Sequence, residues 1–227
     1  MWISFENFEC KYSRETLAFH FGGSRQQALD ANFGMYVWPC APVLGKYIWY
    51  NRTKLKNKVV LELGAGTGLA SVVAAKCCAH VIITDADKYD SVFQIAKQNM
   101  ILNDINQESF EIMSLDWGNF SPTIINFSSI DIIIGSDVFY DPHDFEDLLV
   151  TVSYILKQNP DAEFWCAYEH RCSDWNIKYL LQKWDLLCKE VPLENFGADK
   201  FNVAGSDLPG LKTIRLFIFS HSTVNKE

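Results

Sequence analysis

Apolar and polar positions alternate in blocks along this chain, and the blocks predict an α/β layout. Short apolar runs of strand length recur at Val59–Leu63, Val81–Asp85, Ser109–Leu115, Ile130–Gly135 and Glu163–Tyr168, with two more at Leu186–Val191 and Thr213–Ser220. Between the first five lie segments of helical periodicity. Pro39 opens one that runs to about Tyr50, with Val43, Leu44, Tyr47 and Ile48 on one face. Leu69–Ala79 is alanine-rich, as a helix packed closely on a sheet must be, and another helix ends near Asn103. Phe145, Leu148, Leu149, Val152, Ile155 and Leu156 share one helical face, and Asp174–Trp184 forms a helix capped by Ser173. No crossover helix separates the last two strands, so they pair antiparallel. Asn57 turns the chain into the first core strand. The loosely alternating Trp2, Ile3, Phe5, Phe8, Tyr12, Leu17, Phe19 and Phe21 predict a β extension added to the core sheet, with Lys11–Glu15 as a hairpin tip and a loop over Gly22–Asn32.

The strand Val59–Leu63 runs straight into Gly64-Ala65-Gly66-Thr67-Gly68-Leu69. A strand that turns sharply into a helix needs residues tolerant of positive φ, and the helix start offers unpaired N–H groups. Nucleotide-type cofactors bind at such turns in open α/β sheets. The spacing differs from the dinucleotide fingerprint, because Leu69 stands where its third glycine would fall. Glu62, two residues before Gly64, would repel a pyrophosphate but suits a cofactor with a cationic end. S-adenosylmethionine, with its ammonium, sulfonium and ribose and no phosphate, fits. The plain alternative is a strand–helix turn without a ligand. Asp85 ends the second strand about 20 residues after the loop, where an acid meets a ribose hydroxyl pair; its plain alternative is a helix cap, a role open also to Asp87 and Asp90. Asp116 and Trp117 at the third strand's end suit an adenine amino group and ring. Trp38 either lines the same pocket or packs in the core. Ser136 closes the fourth strand and joins the cofactor-binding set of Trp38, Glu62, Gly64, Gly66, Gly68, Asp85, Asp116 and Trp117.

Composition narrows the field. With 227 residues, 48% of them hydrophobic and 21% charged, the chain suits one globular domain. The net charge of −8 argues against a nonspecific grip on nucleic acid phosphates and permits a basic protein partner. The 7 cysteines include no CxxC pair and no zinc-type spacing, so no metal is expected and buried thiols in a reducing compartment are the reading. The Asn-x-Ser/Thr triplets at Asn51, Asn119 and Asn126 then carry no glycans. Neither a signal-peptide pattern nor a membrane-spanning run appears, which predicts a cytosolic or nuclear protein without membrane contact.

Taken together, Met35-Tyr36-Val37-Trp38-Pro39, Leu61–Leu69, Thr84-Asp85, Leu115-Asp116-Trp117 and Ser136-Asp137-Val138-Phe139-Tyr140 resemble the seven-β-strand S-adenosylmethionine-dependent methyltransferases, in particular the methyltransferase-16 (methyltransferase-like 21) group of protein methyltransferases. The likeness spans about residues 33–220. It implies a Rossmann-like seven-stranded sheet, mostly parallel with an antiparallel last strand and helices on both faces. The N-terminal β extension and loop then occupy 1–32 and the methyltransferase domain 33–227. A closer likeness within the group, carried by Gly34–Ala41, Asp144–Leu148, Ala198-Asp199-Lys200 and Leu208-Pro209-Gly210, implies arginine as the methyl acceptor. It further implies histone H3 as substrate and residence in nucleus and cytoplasm. Many relatives carry Pro where this chain has Ala70, and no double-glutamate hairpin of the main arginine methyltransferases is recognisable.

Catalysis by positioning is expected near the fourth strand's end. Asp137 is the candidate clamp for a cationic acceptor and Tyr140 the candidate channel wall, with Asp141, Glu169 and Arg171 behind them. The plain alternative makes Asp137 a loop cap and Tyr140 core packing. Lysine is the alternative acceptor. A cofactor-binding interaction module, partnered by a chaperone or a transcription regulator, is the alternative of another class. No base-flipping motif of the Asn-Pro-Pro-Tyr type follows the fourth strand.

Overall fold

The computed structural model describes residues 2–5, 8–11, 33–87, 90–120, 127, 129–171, 177–200, 203 and 214–222. The core is a seven-stranded sheet of β3 (Val59–Glu62), β4 (His80–Asp85), β5 (Phe110–Ser114), β6 (Ile132–Ser136), β7 (Glu163–Glu169), β8 (Leu186–Val191) and β9 (Ile214–His221). Their spatial order is β5-β4-β3-β6-β7-β9-β8, and only β9 runs against its neighbours. From β3 the chain winds outward through β4 and β5, then returns to add β6 and β7 on the other side. Between β3 and β6 the winding reverses, which opens a crevice at the strands' carboxyl ends.

The strands of the middle are apolar throughout because both faces are covered. Val60, Val81, Ile83, Ile132, Ile134, Trp165 and Leu216 face one layer, with α1 (Cys40–Tyr50) and α3 (Leu69–Lys76). Ala96 and Met100 of α4 (Asp90–Leu102) join that layer. Leu61, Ile82, Ile133, Phe164, Cys166 and Phe219 face α5 (Phe145–Gln158), whose predicted stripe is buried against them. Leu180 and Leu181 of α6 (Lys178–Lys183) pack on the same side. The small side chains of α3 let that helix lie close to β3 and to α1.

Strand boundaries fall within two residues of the pattern's expectation, and Asn57 takes a φ of 62° where the chain turns into β3. A short helix α2 (Arg52–Leu55) intervenes before that turn, which the periodicity did not show. The expected cap Ser173 and the first residues of the Asp174–Trp184 helix lie outside the described residues.

The N-terminal expectation needs correction. Among the described residues, β1 (Trp2–Phe5) and β2 (Phe8–Lys11) pair with each other, antiparallel, as a separate two-stranded sheet rather than as an addition to the core. Phe5 stands opposite Phe8, so the reversal falls between them and not at Lys11–Glu15. Lys11, expected at the tip, instead pairs with Trp2 at the open end of the ladder. The Gly22–Asn32 loop lies outside the described residues.

Candidate active site

The crevice between β3 and β6 is built from a loop, a roof and a row of acids. Gly64, Gly66 and Gly68 hold φ values of 62°, 52° and 71°, the left-handed region that penalises side chains. They also have no room for one. A Cβ on Gly64 would lie 3.1 Å from both Trp117 Cζ2 and Val138 Cγ1, and one on Gly66 would lie 3.0 Å from the Gly34 carbonyl oxygen. The Asn99 side-chain amide of α4 donates to the Thr67 carbonyl at 2.8 Å and braces the loop's far side.

Glu62 works beneath this loop. It is buried, and its Oε2 accepts from the Ser71 amide at 3.1 Å and from the Ser71 hydroxyl. Gly68 gives α3 no side-chain cap, so Glu62 supplies one from the preceding strand. Burial outweighs the Ser71 bonds and pushes the carboxyl up to about 8. The expectation set Glu62 against the cofactor's cationic end; the carboxyl group instead points into the α3 terminus, with the loop above it.

Asp85 sits where the spacing predicted, at the end of β4. Its Oδ2 accepts from the Gly66 amide at 2.8 Å and its Oδ1 from the Ala86 amide at 2.8 Å. The half-buried carboxylate therefore ties the glycine loop to β4. Asp116 is exposed at the end of β5, and its Oδ1 accepts from the Asp87 amide at 3.3 Å. Trp117 lays its ring against Gly64, and the turn after it is fixed by Gly118 donating to Thr151 Oγ1 of α5 at 2.8 Å. Glu62, Asp85, Asp116 and Asp137 thus stand at the ends of β3 to β6 or directly after them.

The sequence pattern did not show the roof. Gly34 lies over the loop so closely that a Cβ on it would come within 2.6 Å of Val92 Cγ2 and 3.7 Å of Gly66 Cα. From there Gly34–Pro39 leads to the start of α1, with Tyr36 and Trp38 edge-on at 6.4 Å. Cys40 is fully buried near the ends of β6 and β7, and its thiol is held up by burial first and by the Asp137 charge second. Trp38 therefore belongs to a segment that spans the crevice from glycine loop to β7, and it is half-buried there. A lone glycine before an aromatic stretch was the available signal for Gly34.

At the acceptor end the structure redistributes the roles. Ser136 ends β6, half-buried, and Asp137 follows with a φ of 60° and its amide donating to the Ala167 carbonyl at 2.8 Å. The Asp137 carboxylate is buried and taken bidentately by Arg171, whose Nη1 donates to Oδ1 at 2.8 Å and whose Nη2 donates to Oδ2. Arg171 Nη2 also lies 3.2 Å from Glu169 Oε2. Burial lowers the guanidinium's pKa, but the Asp137 bond and charge outweigh it and the net shift is upward. An acceptor cation meets Asp137 only by displacing Arg171. Tyr140, three residues on, is 38% exposed at the rim, so core packing does not describe it. Asp141 accepts from the His143 amide at 3.0 Å and caps the Pro142–Asp144 turn, which lowers its pKa.

A family model, Methyltransf_16, described as "Lysine methyltransferase", matches residues 24–182. The chain belongs to this family. It is 44% identical over 194 residues to the histone-arginine methyltransferase METTL23 of Mus musculus, covering 86% of this chain and 76% of that one. The Homo sapiens METTL23 is 41% identical over 186 residues, covering 82% of this chain and 97% of that one. The protein N-lysine methyltransferase METTL21A of Xenopus tropicalis is 36% identical over 122 residues, covering 54% and 55%. Among solved structures, an S-adenosylmethionine-dependent methyltransferase of Agrobacterium tumefaciens superposes with a TM-score of 0.56 at 21% identity, covering 82% of this chain and 63% of that one. Magnesium protoporphyrin IX methyltransferase of Synechocystis, solved with S-adenosylmethionine bound, gives 0.54 at 13% identity, covering 88% and 86%. These two share the fold.

The family's cofactor, S-adenosylmethionine, fits the residues present. Asp85 and Asp116, the acids beside the loop that are not turned inward or paired with Arg171, suit a cofactor that carries hydroxyl and cationic groups and no phosphate. Asp85 offers a carboxylate to a ribose diol, and Trp117 offers a ring beside the loop. Among the described residues no group of His, Cys, Asp and Glu could hold a metal ion.

Proposed function

We propose that this methyltransferase acts on arginine side chains of a protein, with histone H3 as the substrate to try first. The observation that carries the arginine reading is the Asp137–Arg171–Glu169 cluster. Two carboxylates at the crevice already share one guanidinium, by Arg171 bonds at 2.8 Å and 3.2 Å. Surroundings that hold a planar forked cation are what an arginine acceptor requires. The 44% identity to a histone-arginine methyltransferase points the same way.

The bound cofactor supplies an activated methyl group. The chain's residues do the rest by placement. Asp85 and Trp117 hold the adenosine end against the glycine loop, and the Gly34–Pro39 roof keeps water from it. A guanidinium stays protonated at any working pH, so carboxylates at the ends of β6 and β7 would orient it and one of them would take its proton, while the methyl's bond to sulfur breaks as its bond to nitrogen forms. Tyr140 walls the entry. A lysine acceptor would instead have to lose its proton first, against an ordinary pKa of about 10.4. The acids around Asp137 oppose that loss.

The second reading, lysine, is favoured by the description of the family model and by the METTL21A likeness. One experiment separates them. An H3 tail peptide and its Arg→Lys replacement are incubated with cofactor and protein. Mass gain on the arginine peptide alone supports the proposal; gain on the lysine peptide alone overturns it. The reading also predicts residence in nucleus and cytoplasm, which fractionation of cells expressing the tagged chain would check.

A further inference from the structure

A carboxylate as deeply buried as that of Asp137 needs a cation beside it, because an unpaired charge out of water is strongly destabilising. Its place is set by the backbone. Asp137 directly follows β6 with a φ of 60°, and its amide donates to the Ala167 carbonyl at 2.8 Å. The side chain is 4% exposed. Among the described residues the cation that meets it is Arg171, whose Nη1 and Nη2 donate to one carboxylate oxygen each.

The two partners are held differently. Arg171 lies two residues past the end of β7, in neither strand nor helix, and its side chain is 27% exposed. The pair is therefore enclosed on the carboxylate's side and open on the guanidinium's. A side chain that approaches Asp137 from solvent comes by the side that Arg171 fills. Glu169 Oε2 stands 3.2 Å from Arg171 Nη2, so a guanidinium that leaves Asp137 has a second carboxylate beside it.

An incoming arginine presents the same planar fork and the same charge. It can replace Arg171 bond for bond, and the buried carboxylate stays compensated. A lysine ammonium brings a point charge without the fork and does not reproduce the two parallel bonds.

We propose that Arg171 occupies the acceptor's place in the free protein as an internal stand-in for the substrate, and that a substrate arginine binds by displacing it from Asp137. This rests on the arginine reading of the site. Arg171 then competes with every incoming cation. The apparent peptide Kd exceeds the intrinsic one by the inverse of the fraction of molecules in which Asp137 is uncovered. Weakening the hold of Arg171 therefore tightens peptide binding, whereas a fixed brace or a substrate contact would weaken it when altered.

The test measures calorimetric binding of the H3 tail peptide to wild type and Arg171→Lys, each loaded with S-adenosylhomocysteine, beside methyl transfer by wild type. Arg171→Lys keeps a charge on Asp137 and loses the fork, so its peptide Kd is expected to fall about tenfold below that of wild type. A Kd that is unchanged or higher in Arg171→Lys overturns the inference. A lower Kd, together with no transfer to arginine by wild type, supports the exchange and overturns the arginine reading. If neither protein binds the peptide, the arginine reading fails and Arg171→Ala decides the inference. That variant leaves Asp137 unpaired, and its lowered melting temperature should be restored by millimolar methylguanidinium more than by methylammonium, with wild type unmoved. No such restoration, or a chain that does not fold even with methylguanidinium present, overturns the inference.

Discussion

Replacing Glu62 by glutamine should flatten part of the protein's stability–pH profile. The carboxyl group is enclosed beneath the glycine loop and its pKa is raised from 4.5 to about 8, burial being the dominant cause. Unfolding returns it to water and to the ordinary value. Between those two pH values the folded state holds a proton that the unfolded state has released, so stability falls as pH rises through the window and is greatest below it. At 1.36 kcal/mol per pH unit the whole window carries about 5 kcal/mol, and the stretch from pH 5.5 to pH 8 carries about 3 kcal/mol. Glutamine keeps an oxygen for the Ser71 amide and hydroxyl and cannot ionise. Urea unfolding of wild type and Glu62→Gln at pH 5.5 and pH 8 reads the difference directly. The variant should gain about 3 kcal/mol on wild type between the two conditions. Parallel profiles would refute the reasoning, because they would mean that Glu62 is ionised and solvated or paired in the folded state.

Three further outcomes follow from contacts at the site. Gly66→Ala forces a side chain into a φ of 52° and within 3.0 Å of the Gly34 carbonyl oxygen, so it should cost about 1–2 kcal/mol in thermal unfolding and abolish measurable cofactor binding in calorimetry. Asp85→Ala removes the acceptor of the Gly66 amide and the carboxylate proposed for the ribose; cofactor affinity should fall at least about tenfold with the melting temperature within a few degrees of wild type. Asp137→Asn leaves the Arg171 guanidinium without its buried counter-charge, and chemical denaturation should show a loss of about 2 kcal/mol, reduced from a fully buried pair because Arg171 is 27% exposed. Stability unchanged in that variant would contradict the buried pairing.

Much of this site was legible in the sequence because it rests on local constraints. Three glycines after an apolar run can only be a tight strand-to-helix turn, and an acid closing the next strand must lie beside it in a parallel sheet. Asp85 and Trp117 follow from that rule, and both meet the loop, Asp85 at the Gly66 amide and Trp117 at Gly64. The strands were readable for a similar reason: burial on both faces makes them apolar without interruption.

What local pattern could not show were contacts between distant elements. The spacing read Glu62 as a cofactor ligand, yet its partner Ser71 lies on α3. Both roles put an acid at the same position, and only the side chain's direction separates them. Asp137 was read as free for substrate because its partner, Arg171, comes from the far end of β7 and no spacing links them. Gly34 was invisible as a roof because its neighbours, Val92 and Gly66, belong to α4 and the loop. The hairpin was misplaced because its register, Phe5 opposite Phe8, is set by a short reversal that alternation alone does not locate.

The central claim is methyl transfer to protein arginine, and its most direct test uses labelled S-adenosylmethionine with purified core histones, wild type beside Asp85→Ala. Mass spectrometry locates the label. The account predicts label on arginine, histone H3 foremost, that disappears with Asp85→Ala. Label confined to lysine, or no label on any histone from a protein that binds the cofactor, would contradict it.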